Sequence, residues 1–329
     1  MDSDSKKAPE IPEIVVCGPT FMDVVMAGLP GAPRLGEEMW VGDSTVTAGG
    51  AANQATAIAR LGVPCELVTK LGTDRAGQIV RDVLAENNVK TTYATPVPHQ
   101  SITVSMSWND DRAMVTHGSD EGGTLPADFT PAVLVADLKA IAANEDVVKS
   151  WRSRGTKVIG DVGWDDTGAW RIEDLEPLEH CDYFVPNETE FLHYARTYDL
   201  RQAMSTISEF VDTDATFVLT RGARGVAIMK DDKHTTLPAM PVKVVDPTGA
   251  GDSFSAGLAA GVAMGADPKA AISLGLIVAG LSLTKPGGAG ATPTIGELPI
   301  LLKVMDVPNS YDLGAVEQLL TAHNFDIPL

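Results

Sequence analysis

The chain has 329 residues, a formal charge of −19 and a pI near 4.6. That acidity argues against nucleic acid or an anionic membrane as a main partner, since both bind basic surfaces, and it disfavours a strongly anionic acceptor. A hydrophobic fraction of 44% is ordinary for a globular chain, and the length suits one large α/β core.

Residues 1–13 are polar, lack the apolar core of a signal peptide and read as a flexible tail. Ile14-Val15-Val16-Cys17-Gly18 then reads as an apolar strand ending in a turn, with Asp23 shortly after it. Two regions, 23–46 with Val24-Val25-Met26 and Met39-Trp40-Val41, and 91–115 with Ile102-Thr103-Val104-Ser105-Met106 and Ala113-Met114-Val115, are short and β-rich. Joined by Gly, Pro and Asn-Asp-Asp turns, they predict a small auxiliary sheet. Thr47-Ala48-Gly49-Gly50-Ala51-Ala52-Asn53-Gln54-Ala55 leads into a helix of small and apolar residues that stops at Gly62. A Gly-Gly turn exposes backbone to a polar ligand, and Asn53 offers both a donor and an acceptor to hydroxyls. Taken alone, close packing of a helix on a strand explains the same residues. Leu71-Gly72-Thr73-Asp74-Arg75-Ala76-Gly77 reads as a strand-to-helix turn capped by Asp74.

Strand-like Cys65-Glu66-Leu67-Val68-Thr69 and Lys157-Val158-Ile159-Gly160-Asp161 alternate with helix-like runs such as 77–87, which implies parallel β-α units in a layered sheet. Tyr183-Phe184-Val185 precedes Pro186-Asn187-Glu188-Thr189-Glu190, a helix start with an Asn cap and early acids. Phe217-Val218-Leu219-Thr220 is a strand that enters a T-x-G-x-x-G turn ending at Gly225. Pro241-Val242-Lys243-Val244-Val245 is short and β-branched and reads as a strand.

Next comes Asp246-Pro247-Thr248-Gly249-Ala250-Gly251-Asp252-Ser253-Phe254, opening a tightly packed helix over 253–264. Gly249, Ala250 and Gly251 fall at a helix N-terminus, where unpaired N–H groups and the helix dipole attract anions. A carboxylate there, Asp252, is useful if it takes a proton from an attacking hydroxyl while the nest holds a phosphate. As a plain turn, Asp246-Pro247-Thr248-Gly249 requires no ligand. The apolar run 270–283 is too short and too rich in Gly and Ser for a bilayer span, so a buried helix is expected. Cys17, Cys65 and Cys181 have no metal or disulfide spacing and read as buried free thiols of a cytoplasmic protein. His117 and His193 read as ordinary satisfied residues.

The run from Asp246 to Phe254 resembles the C-terminal signature of the PfkB, or ribokinase-like, carbohydrate kinases, and the run from Thr47 to Gly62 resembles their N-terminal signature. Weaker matches between 14 and 294 fall in register. The resemblance implies a ribokinase-like layered α/β/α core with a mostly parallel sheet. It further implies one kinase domain over 14–329, with a β-sheet lid from 23–46 and 91–115. The implied activity is ATP-dependent phosphate transfer to a hydroxyl of a small carbohydrate, with Asp252 as general base and the backbone of Gly249, Ala250 and Gly251 as anion hole.

Asp23, Gly49, Gly50 and Asn53 would hold the acceptor, while Asn187, Glu190, Thr220, Gly222 and Gly225 would serve the nucleotide. Glu190 would hold magnesium through water. Asp246 and Thr248, with the loop Leu281-Ser282-Leu283-Thr284-Lys285-Pro286-Gly287-Gly288-Ala289-Gly290, would form a site for a monovalent cation such as potassium. A homodimer through the lid is a further expectation. Two departures stand out: Leu276 occupies the place of an adenine-facing Asn, and Ala136-Asp137-Leu138-Lys139 lacks the sugar-contacting Glu. Alternatives are a nucleoside kinase, a phosphosugar kinase using Lys70, Arg75 or Arg112, or a non-catalytic sugar- or nucleotide-binding regulator. No Walker A motif is present, and Gly18-Pro19-Thr20-Phe21 lacks the G-x-G-x-x-G of a dinucleotide oxidoreductase.

Overall fold

Ile14, Val15, Val16 and Cys17 are all buried, because this strand is covered by helices on both faces. Ile14 and Val16 point into one apolar cluster and Val15 and Cys17 into the other, as the two-residue period of a strand requires. The computed structural model describes residues 14–108, 111–165, 167–211, 213–230, 233–285 and 287–325. The expected tail 1–13, the Asn109 and Asp110 turn positions, and Pro286 lie outside the described residues, as do the side chains of Asp111 and Arg112.

The strands are β1 (Ile14–Cys17), β2 (Thr20–Ala27), β3 (Asp43–Gly50), β4 (Cys65–Val68), β5 (Lys70–Gly72), β6 (Thr95–Val97), β7 (Ser101–Trp108), β8 (Asp111–His117), β9 (Val133–Asp137), β10 (Lys157–Asp161), β11 (Tyr183–Phe184), β12 (Thr216–Thr220), β13 (Val226–Lys230) and β14 (Lys233–Leu237). The helices are α1 (Ala51–Arg60), α2 (Arg75–Glu86), α3 (Leu138–Ala143), α4 (Glu145–Ser153), α5 (Glu188–Ala195), α6 (Leu200–Phe210), α7 (Ala250–Ala263), α8 (Pro268–Ser282), α9 (Leu298–Leu302) and α10 (Gly314–Ala322).

Eight strands form the central sheet in the order β14-β13-β12-β11-β10-β9-β1-β4. From β4 to β12 all neighbours are parallel, and β13 and β14 add antiparallel pairs at one edge. Parallel neighbours need crossovers, which the intervening helices supply. Residues from α1, α7, α8 and α10 fill one cluster; residues from α3 to α6 fill the other, around Trp151, Phe184, Phe191 and Phe217. The apolar α8 is buried along its length, as expected of the 270–283 run.

A second, four-stranded sheet has the order β3-β2-β7-β8, with β2 and β7 parallel. Alternation gives it two unlike faces. Asp23 pairs with Thr47 and Thr103, and Thr103 with Thr116, so one row across the sheet is polar. The adjacent row, Val46, Val24, Val104 and Val115, is apolar, and its outer members Val46 and Val115 are exposed.

Two expected strands are absent from any ladder. Met39-Trp40-Val41 lies just ahead of β3, after a stretch broken by Pro30, Gly31, Pro33 and Gly36. Pro241-Val242-Lys243-Val244-Val245 also forms no strand. Pro238 and Pro241 offer no N–H, and the amides of Val245 and Asp246 both donate to the Leu283 carbonyl, at 2.7 and 3.3 Å, instead of to a strand.

Candidate active site

The carboxyl ends of β1, β9, β10, β11 and β12 share one edge of the central sheet, the edge at which open α/β sheets bind ligands. Gly18 follows β1 there, Asp137 and Asp161 are the last residues of β9 and β10, and Thr220 is the last of β12. Asp137 and Asp161 are register partners across the ladder.

The helix α7 begins at this edge. Gly249 is its N-cap, with φ +71°, and a Cβ built on it would stand 2.9 Å from the Ala289 amide nitrogen. Both facts demand glycine, since a left-handed backbone strains other residues. Ala250, Gly251 and Asp252 form the first turn, with Asp252 half-buried. α7 packs on β9, β10 and α1.

At the start of α1, a Cβ on Gly49 would overlap the Asp23 carboxylate. The glycine therefore makes room for that acid. Gly50 is the N-cap of α1, and Asn53 sits half-buried in the first turn. The Ala51 amide donates to Pro19 O at 2.8 Å, fixing the helix against the loop after β1. Asp137 caps α3 through a 2.7 Å bond from the Ala140 amide, and its Oδ2 lies 3.3 Å from the place a Gly18 Cβ would occupy.

On the other side, Asn187 and Glu190 form a capping box at α5: the Asn187 side chain accepts from the Glu190 amide and Glu190 Oε2 from the Asn187 amide, both at 2.9 Å. Asn187 bridges to Thr220, whose amide donates to Pro186 O at 3.0 Å. Gly222 and Gly225 bound the tight turn between β12 and β13. Asn187, Glu190, Thr220, Gly222 and Gly225 are thus brought together.

The acids of this edge resist ionisation. Burial pushes the Glu190 carboxyl up to about 7, against the lowering effect of the Asn187 contacts. Asp161 is raised well above the usual range by burial and then by the charges of Glu190, Asp252 and Asp137, against the Val162 amide that bonds it. Burial also raises Asp137. The charges of Glu190, Asp252 and Asp137 all act on buried Asp161, so acids converge at this edge, and carboxylate oxygens of this kind suit a hard divalent cation such as magnesium.

Asp246 behaves oppositely. Burial works against its charge, but amides of Thr248 at 2.9 Å and Gly287 at 3.0 Å outweigh it and hold the carboxyl below the ordinary value. Those bonds draw the loop around Gly287 onto the turn that precedes α7.

Asp161 and Asp137 are the residues that motif reading leaves without a role, and the signal available for both was a carboxylate ending a strand. Asp74 is the N-cap of α2, accepting from the Gly77 amide at 3.0 Å, as expected. Leu276 is buried in the apolar cluster of α8. All three cysteines are free and buried. Their thiols are pushed up by burial, Cys17 to about 12 and Cys65 and Cys181 further. His193 stacks on Trp170 at 4.8 Å between centroids, a packing role. A cavity of about 240 Å³ at the base of the small sheet is lined by Thr20, Lys70, His99, Gln100 and His117; of the candidate site residues named from sequence it holds Lys70, the phosphosugar alternative, and none of those expected to hold a neutral acceptor or the nucleotide.

A parallel α/β sheet with an acid and a glycine nest at its carboxyl edge, beside a small separate sheet, defines a ribokinase-like phosphotransferase. The profile of the pfkB family carbohydrate kinases matches residues 12–295, and the chain belongs to that family, whose members phosphorylate an alcohol group. It is 30% identical to a ribokinase of Bacillus subtilis over 308 residues, 88% of this chain and 99% of that one. It is 28% identical to a deoxyribokinase of Salmonella typhi, over 86% of this chain and 96% of the relative. Its fold is similar to that of the Arabidopsis thaliana ribokinase solved with ribose and ATP, with a TM-score of 0.72 and 24% identity over 89% of this chain and 99% of that one.

Proposed function

We propose that the protein transfers the γ-phosphate of ATP to a hydroxyl of a small carbohydrate, with Asp252 as general base. The observation that carries this reading is the placement of Asp252 in the first turn of α7, directly after Gly249, Ala250 and Gly251, on the edge that also holds Asp161 and Glu190. Asp252 takes the proton of the attacking hydroxyl. The α7 N–H groups, aimed along the helix dipole, stabilise charge on the phosphate in transfer. Asp23, Gly49, Gly50 and Asn53 orient the acceptor, with Asp23 accepting from its hydroxyls. Asn187, Glu190, Thr220, Gly222 and Gly225 position the nucleotide phosphates.

Glu190, through water, and Asn187 would hold magnesium beside the nucleotide, where it would supply positive charge to offset that of the phosphates. Asp246 and Thr248 would hold a monovalent cation of the potassium type beside the start of α7. In this reading residues 14–329 act as one kinase domain and the small sheet is a lid that excludes water from the acceptor. The exposed Val46 and Val115 on its apolar row support a homodimer formed through the lid. Three buried free thiols suit a cytoplasmic setting.

Lys70 is paired with Glu121, which offsets its charge and favours a neutral sugar over a phosphosugar. The test is ADP release with magnesium and potassium against pentoses, hexoses, nucleosides and phosphosugars, with Asp252→Asn in parallel. Turnover should fall by about 10²–10⁴-fold in the variant while ATP binding persists. Retention of most turnover by a folded Asp252→Asn would remove Asp252 as the base. ATP binding without turnover on any acceptor would favour the regulator.

A further inference from the structure

Glu188 is the first residue of α5, one position after Asn187 and two before Glu190, and its side chain does not face the capping box. It reaches across to the turn after β12. Its Oε1 accepts from Arg221 Nε at 3.0 Å and its Oε2 from Arg224. The carboxylate is 15% exposed, the Arg221 side chain 17% and the Arg224 side chain 62%. Beyond Thr220 the backbone bonds of this turn are internal: Arg221 N to Gly225 O, Arg224 N to Arg221 O and Gly225 N to Gly222 O. The Thr220 amide ties the near end of the turn to Pro186, and Glu188 ties both Arg221 and, at the far end, Arg224 to α5.

We propose that Glu188 is a positioning residue for the nucleotide: by holding Arg221 and Arg224 it keeps the 220–225 turn in register with Asn187 and Glu190, without touching the nucleotide itself. The inference rests on the nucleotide reading of these two segments. Its physical basis is that a phosphate cradle built from two separate backbone segments binds well only if their spacing is set beforehand, because ordering it on binding subtracts from affinity. A carboxylate shared by two guanidiniums sets that spacing with directional, charge-assisted bonds.

Charge and position predict opposite signs. Removing a carboxylate near a phosphate site relieves like-charge repulsion, which by itself should tighten ATP binding. Loss of positioning should weaken it. Glu188→Gln is therefore expected to raise Kd for ATP and ADP, measured calorimetrically, about tenfold, a shift of about 1.4 kcal/mol. The KM for the acceptor should stay within about twofold, and Glu188→Asp should recover part of the loss, which a merely structural defect would not produce. Arg224→Gln, at an exposed side chain, keeps the test available if Glu188→Gln does not fold. In the double variant the two effects should be clearly non-additive. Unchanged or tighter ATP binding in both folded single variants, or additive effects in the cycle, overturns the role of Glu188. A wild-type protein that binds neither ATP nor ADP overturns the nucleotide reading itself, and this inference with it.

Discussion

The central sheet and the small sheet use the same period of two for opposite ends. In β1 both periods are apolar, because α1 and α7 cover one face and α3 and α4 the other. In the small sheet one row is Asp23, Thr47, Thr103 and Thr116, and the next is valine, with Val46 and Val115 48% and 64% exposed. A sheet buried on two sides is held by its own packing. A sheet with one polar and one open apolar face depends more on its neighbours for its stability. In the proposed reading, that difference keeps α7 and the strand ends fixed and leaves compliance where the acceptor enters.

Substitutions can break that contrast. The largest effect is expected in the core: Phe217→Ala removes a side chain that packs edge-on against Phe184 and Phe191, and should cost about 3–5 kcal/mol in chemical denaturation. A loss below about 1 kcal/mol would mean that the central sheet is no more tightly packed than the small one. Gly49→Ala comes next, at the joint between small sheet and α1. Its methyl group would displace the Asp23 carboxylate, so the acceptor KM should rise about tenfold, or about 1.4 kcal/mol, with the ATP KM unaltered. Equal changes in both constants would show that Asp23 does not act on the acceptor alone.

On the open face, Val115→Thr should alter stability by no more than about 0.5 kcal/mol yet shift a lid-mediated dimer towards monomer. Light scattering at several concentrations reads this, and an unshifted dimer would place the interface elsewhere. The smallest effect concerns Glu297, which neither sheet contains. Amide bonds from Thr294 and the Lys285 ammonium lower its carboxyl to about 2 against slight burial. Because the folded value is depressed, its stabilisation is present above the unfolded carboxylate range and is lost as pH falls towards 2. Glu297→Gln should therefore lower Tm slightly near neutral pH, less in high salt, with the difference closing in acid. A difference that grows in acid would reverse the assigned sign.

Much of this arrangement was legible in local sequence. The helix after Gly249, the Asp74 cap and the Asn187 cap are decided by residues within one turn of each other, so short motifs reveal them. Pro241-Val242-Lys243-Val244-Val245 misled because β-branched composition says nothing about whether a ladder partner lies alongside. Met39-Trp40-Val41 failed likewise. Asp137 and Asp161 were invisible as a pair because their register links β9 to β10, twenty-four positions apart, and the strand ends alone do not say which acids will meet. Glu188 lay inside a quoted motif, but its partners belong to another strand.

The three cysteines give the molecule a built-in clock. Cys65 lies in one helix-covered cluster, Cys17 and Cys181 in the other, and each thiol is held in its protonated, unreactive form by burial. A folded chain should therefore be nearly inert to thiol reagents. The rate at which each cysteine becomes labelled times the opening of its own layer, so one modification experiment can tell whether the two faces of the sheet come apart together or in sequence.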